Sequence, residues 1–78
     1  MPEILTDGVH LVCRDLNTLH AFARRLGFRR AWFQDGRHPH YDLTTRRALK
    51  RAIAAGAHMA TRRDILHATE LLRESLNA

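Results

Sequence analysis

The order of hydrophobic and polar residues predicts strands and helices that follow one another along the chain. An apolar run with two β-branched residues over 9–13 is long enough for one buried strand. From Leu19 onward, apolar residues recur at the i, i+3, i+4, i+7 spacing that gives a helix one hydrophobic face, and Gly27 suits the position after its end. The first third of the chain therefore predicts a strand followed by a helix over about 18–26.

The segment from residue 28 to residue 43 is less regular. Residues 31–34 could form a strand, and residues 40–43 predict another short strand or an ordered loop. Between them, the Asp35-Gly36 pair favours a tight turn, and Pro39 cannot donate a backbone hydrogen bond to a sheet.

Two more helices are predicted in the second half. Thr44 is a suitable N-cap for a helix over about 45–55, and a brief strand over 57–60 follows that helix. Thr61 then begins a capping-box pattern, with Asp in place of the usual Glu or Gln, ahead of a last helix over about 62–76.

These elements predict an α/β fold in one small domain over residues 1–78. Helical connections between short apolar strands favour a short, mostly parallel sheet covered by three helices. An open, mainly helical arrangement is the alternative if the middle strands do not form. The core is expected to hold Leu11, Leu19, Phe22, Leu26, Leu49, Ile53, Ile65 and Leu72.

The size of the chain limits its possible roles. A chain of 78 residues buries only about 60% of the surface that its unfolded form exposes, so the core is thin. Leu66 and Leu71 fall outside the inward stripe of the last helix, and we therefore expect a homodimer through this C-terminal helix. No apolar run approaches the ~20 residues that span a bilayer, so no membrane partner is expected. The single Cys13 excludes a disulfide framework and favours a cytoplasmic protein.

Charge gives the first indication of function. Lys and Arg number 13 against 8 Asp and Glu, a net charge of +5, and the excess is concentrated in residues 14–51. Because the arginine guanidinium pairs with phosphate and stacks on bases, this concentration favours a nucleic acid or another phosphate-containing ligand. The alternative is that these cations are only solvated. The candidate contacts are Arg24, Arg47, Lys50 and Arg51.

Histidines give the second indication. His38-Pro39-His40 with Asp42 offers two imidazoles and a carboxylate within five residues. Joined by His10 or His20, they could hold a divalent metal of the two-His, one-carboxylate kind. The candidate metal ligands are His10, His38, His40 and Asp42. The alternative is that these histidines serve only as strand and surface residues, since the spacing matches no standard zinc motif.

The aromatic residues also allow two interpretations. Trp32 and Tyr41 lie among arginines, as in surfaces that stack unpaired bases, but a small domain also needs its aromatic side chains in the core. The core interpretation is favoured for Phe33. Tyr41 is the better site candidate, because its neighbours His40 and Asp42 are polar.

Five short motifs occur in a fixed order along the chain. They are H-L-V at 10–12, L-H-A-F-A at 19–23, W-F-Q at 32–34, H-Y-D-L at 40–43 and A-I-A-A-G-A at 52–57. This series resembles a family of short bacterial and phage proteins, domain of unknown function 4031, over about residues 9–60. The chain departs from the family pattern at residues 4–7, at Arg14 in place of Asp, and at Thr18 in place of Glu. The resemblance implies no particular reaction.

Three functions are compatible with these patterns. The first is a binding module for nucleic acid or another phosphate-rich ligand, which uses the arginine surface and the loop of His40, Tyr41 and Asp42. The second is a metal-dependent hydrolase, with a nuclease as one form, built on the His and Asp cluster. The third is a small protein-interaction module. If the fold brings His10 and residues 40–42 together in one pocket, that would favour a functional site formed by these residues.

Overall fold

The computed structural model describes residues 1–77 of the chain. Within them, three helices and four short strands follow one another, with a 3-10 turn after the first helix. The elements are β1 (Leu5–Thr6), β2 (His10–Val12), α1 (Leu16–Arg25), the 3-10 turn (Arg30–Trp32), β3 (Tyr41–Asp42), α2 (Arg46–Ala54), β4 (His58–Met59) and α3 (Arg62–Asn77). The predicted α/β class is confirmed, and so are the three predicted helices. None of them is long and apolar enough to cross a bilayer.

The four strands form one sheet in the order β3-β2-β1-β4. β1 pairs with β4 in parallel, but β2 is antiparallel to both β1 and β3, so the prediction of a mostly parallel sheet is wrong. Only three residues join β1 to β2, and so short a connection can make only a hairpin. Asp7 closes that turn by accepting hydrogen bonds from the backbone N–H groups of Val9 and His10, at 2.9 and 2.8 Å. Gly8 has a φ of 103°, which favours glycine.

The helices lie on both faces of the sheet. Leu11 and Tyr41 are partners across β2 and β3, and their face packs against α1 and α2. Val12 points to the opposite face, where it packs with Ile65 and Ala68 of α3. The sheet is therefore the middle layer of three.

The predicted core is correct for six of its eight residues. Leu49 is half-buried against that core, whereas Ile53 is 40% exposed, so its assignment to the core is wrong. Helix α2 instead turns Ala52, which is completely buried, toward the sheet. The six buried residues are Leu11, Leu19, Phe22, Leu26, Ile65 and Leu72.

Local hydrogen bonds define where the helices begin. Asp15 caps α1 by accepting from Thr18 N–H at 2.9 Å. The cap of α2 is Thr45, one residue later than predicted, and its hydroxyl oxygen accepts a hydrogen bond of 3.0 Å from the backbone N–H of Ala48. Thr61 and Asp64 form the predicted capping box, each side chain accepting from the other residue's backbone N–H.

The segment between α1 and α2 is mostly irregular. The predicted strand over 31–34 is wrong, because the chain turns through the 3-10 segment and only Gln34 pairs with His40. Two backbone hydrogen bonds, of 2.9 and 3.2 Å, join Gln34 and His40 around the predicted turn. The second predicted strand is confirmed as β3.

Candidate metal centre

Strands β2 and β3 bring three candidate metal ligands together. His10 is the Cα partner of Asp42, and His40 lies two residues before Asp42, so all three side chains are on the same face of the sheet. One donor atom from each residue lies within 4.8 Å of the other two. The rings of His10 and His40 meet edge to face, with centroids 5.0 Å apart.

Each of these histidines has an oxygen partner on its Nδ1 atom. His10 Nδ1 lies 2.9 Å from Asp7 Oδ2, and His40 Nδ1–H donates to the carbonyl of His38 at 2.6 Å. Oxygen partners of this kind fix the tautomer and ring orientation of metal-binding histidines. Nε2 is left in each ring as the atom that could bind a metal. The Nε2 atom of His40 lies 3.1 Å from Asp42 Oδ1.

The two carboxylates of this region are also held by hydrogen bonds. Burial acts to raise the pKa of Asp7, but hydrogen bonds from His10 and from the backbone of Val9 outweigh it and hold the pKa at about 2. Gln34 donates from its side-chain amide to Asp42 Oδ2. Sequence reasoning missed both Asp7 and Gln34 as site residues, although the Asp-Gly pair before β2 signals the turn that places Asp7.

The structure does not bring His38 to this cluster. Its Nδ1 atom lies 3.1 Å from Thr69 Oγ1 on α3, and the Thr69 hydroxyl donates to the carbonyl of Leu66 at 2.8 Å. An ion pair of 3.0 Å between Asp35 and Arg73 joins the same turn to α3. His38 therefore anchors the turn, and three of the four predicted ligands lie together.

Tyr41 points away from the cluster. Strand alternation places it on the sheet face opposite His40 and Asp42, where it is almost completely buried. Its hydroxyl forms a 2.7 Å hydrogen bond with His20 Nδ1 on α1. The structure therefore does not unite His10, His40, Tyr41 and Asp42 in a single pocket.

Burial and the nearby charge of Arg30 shift the pKa values of both Tyr41 and His20. Burial, together with the positive charge of Arg30, lowers the pKa of His20. Burial raises the pKa of Tyr41 although Arg30 acts in the opposite direction. Both groups are therefore uncharged at neutral pH. His20 Nε2 is buried and has no hydrogen-bond partner within residues 1–77.

The predicted phosphate contacts lie on two different helices. Arg24 is exposed on α1, beside the pair of His20 and Tyr41. The other three, Arg47, Lys50 and Arg51, are exposed on α2. Trp32 is 52% exposed beside Phe28, whereas Phe33 is half-buried against the core, as predicted.

Comparison with known proteins agrees with the motif series. The chain matches no curated protein and no solved structure. One family model, described as "Protein of unknown function (DUF4031)", matches residues 5–72, from β1 into α3. The match therefore includes the whole sheet and all the candidate ligands. The chain belongs to the DUF4031 family.

Proposed function

We propose that this protein binds one divalent transition-metal ion through His10, His40 and Asp42. The observation that carries the proposal is their convergence: donor atoms from all three side chains lie within 4.8 Å of one another. Two imidazoles and one carboxylate are ligands that suit Zn²⁺, Fe²⁺ and related ions.

The surroundings of the three residues support the same proposal. Both histidines donate a hydrogen bond from Nδ1–H to an oxygen, and Asp42 accepts one from Gln34, so all three side chains are held in place before an ion arrives. The side chains of His10 and Asp42 are 42% and 39% exposed, so an ion can reach them from solvent. The site is therefore preorganised and open.

Three protein ligands leave coordination positions for water or a substrate. Open positions distinguish catalytic from structural zinc sites, and a metal of this kind would supply a water with a lowered pKa for hydrolysis. Metal-dependent hydrolysis, of a phosphodiester for instance, is thus the activity this site could support. In that role His10 and His40 would orient the ion, and Asp7 would keep the His10 ring in place.

Metal titration tests the proposal directly. Purified protein is freed of metal with a chelator and then titrated with Zn²⁺, Mn²⁺ and Co²⁺ by calorimetry, with Co²⁺ also followed by its visible absorption. We expect one ion per chain for at least one metal, and at least a tenfold loss of affinity in His40→Ala and Asp42→Asn. His67→Ala, which removes an exposed histidine of α3 outside the cluster, is the matched control. Equal affinity in all four proteins, or no stoichiometric binding, would refute the proposal.

The exposed cations of α2 favour a second candidate function, binding of a nucleic acid. Arg47, Lys50 and Arg51 lie within one turn of each other, and within residues 1–77 only Arg73 among the Lys and Arg side chains forms an ion pair with a carboxylate. These charges are therefore available to phosphates. Salt-dependent binding of an oligonucleotide without cleavage would support this candidate, and cleavage that requires a metal would support the hydrolase.

A further inference from the structure

A second polar site lies on the other face of β3, in a cleft between α1 and the segment that follows it. The cleft has a volume of about 480 Å³. Asn17, His20 and Arg24 line it from α1, Arg30 lines it from the 3-10 turn, and the rings of Phe28 and Tyr41 complete it.

Helix α1 presents its polar side chains to this cleft in one row. Asn17, His20 and Arg24 are spaced at i, i+3 and i+7, which places them on the same side of the helix. Tyr41 holds His20 by the 2.7 Å hydrogen bond, so the middle member of the row has a fixed position. The row therefore offers an amide and a guanidinium to one ligand, with the His20 ring between them.

The cleft carries positive charge that no carboxylate balances. Its lining includes no Asp or Glu, and neither Arg24 nor Arg30 forms an ion pair within the described residues 1–77. Arg30 lines the same cleft as His20 and Tyr41, and its charge acts on the pKa of both groups in addition to burial. Two cations around a concave surface attract an anion, and arginine binds phosphate with two parallel hydrogen bonds.

We propose that this cleft binds the phosphate group of a small phosphate monoester. Arg24 and Arg30 would contact the phosphate oxygens from two sides. The cleft is far larger than a phosphate ion, and the Phe28 ring, 5.7 Å from that of Trp32, gives an apolar wall for the organic part of the ester. The proposal goes beyond metal binding and does not depend on it, because the cleft and the metal ligands lie on opposite faces of the sheet.

The test is a set of titrations followed by NMR, in the presence of EDTA so that no metal takes part. The probes are inorganic phosphate, ribose 5-phosphate, a nucleoside monophosphate and the same nucleoside without phosphate. We expect saturable binding of both monoesters, weaker binding of inorganic phosphate, and none of the nucleoside. An ester affinity no greater than that of inorganic phosphate would overturn the monoester assignment.

Paired variants separate a specific site from general attraction. Arg24→Ala with Arg30→Ala removes both cations of the cleft, and we expect at least a tenfold loss of ester affinity. Arg25→Ala with Arg29→Ala removes the same charge from neighbouring positions outside the cleft, and we expect less than about a twofold change. The same loss in both pairs, with circular dichroism showing both folded, would refute the proposal, as would the absence of saturable binding of any phosphate probe to the wild type.

Discussion

Replacing Asp7 with Asn will weaken divalent metal binding by about 10–100-fold, although Asp7 is not itself a proposed ligand. Asp7 Oδ2 lies 2.9 Å from His10 Nδ1 and holds the ring so that its other nitrogen can meet the ion. The low pKa of Asp7, about 2, means that the carboxylate is charged at neutral pH, and the amide would lose that charge. A loss of this size corresponds to about 1.4–2.7 kcal/mol of binding free energy.

Competition with a coloured chelator at pH 7 measures this loss. Asn can still accept the backbone hydrogen bonds that close the turn, so the fold should survive, as circular dichroism can verify. Asp15→Asn is the matched control, because Asp15 also accepts a backbone hydrogen bond at the start of an element but does not contact the cluster. Unchanged metal affinity in Asp7→Asn, or an equal loss in Asp15→Asn, would show that Asp7 does not support His10.

Four further predictions concern stability, pH, salt and association. Urea unfolding should show that Phe22→Ala lowers the free energy of unfolding by about 3–5 kcal/mol, because Phe22 is only 6% exposed. Ile53→Ala should lower it by less than about 1 kcal/mol, because Ile53 is 40% exposed. In metal-free protein, Asp7 should contribute on the order of 1 kcal/mol of stability above its unfolded pKa of 3.8, since solvent screens this partly exposed carboxylate. That stability is lost as the pH falls through about 2, so wild type and Asp7→Asn should converge at low pH. If an oligonucleotide binds, Arg47→Ala with Arg51→Ala should flatten the slope of log affinity against log salt by about one to two units; an unchanged slope would exclude α2 from the contact. Light scattering at tens of micromolar protein should give the mass of the homodimer that we predict through α3. The mass of a monomer at that concentration would exclude this homodimer.

The helices were predictable because each carries a full hydrophobic period and a local start signal. Leu19 and Phe22 set the inward face of α1, and Thr61 begins the capping box of α3 as the sequence indicates. Ile53 was misassigned because periodicity alone could not decide which residue of α2 lies nearest the sheet. Ala52, which is completely buried in the cluster of Leu11 and Tyr41, occupies that position instead.

The sheet was harder to predict because its strands are two or three residues long. A strand such as Leu5–Thr6 is too short to show alternation, so β1 was missed, and with it the hairpin that makes the sheet mostly antiparallel. Pairing direction depends on the connection between strands, and the Asp7-Gly8 turn signal indicates a hairpin only once β1 is recognised as its first strand. Asp7, which contacts His10 from the turn of this hairpin, was missed with it.

The candidate site shows where local spacing misleads. His38, His40 and Asp42 are close in sequence. However, the two backbone hydrogen bonds between Gln34 and His40 close the turn, and His38 lies within that turn, where it contacts Thr69 of α3. Alternation along the strand also places neighbouring residues on opposite faces of the sheet. His40 and Asp42 lie beside His10 as proposed metal ligands, while Tyr41 between them faces the cleft. One three-residue motif thus contributes to two sites on opposite faces of one strand. For this reason the two proposals can fail separately. A chelator would remove the proposed ion without changing Arg24 or Arg30, and loss of those arginines would leave every proposed metal ligand and its hydrogen bonds in place.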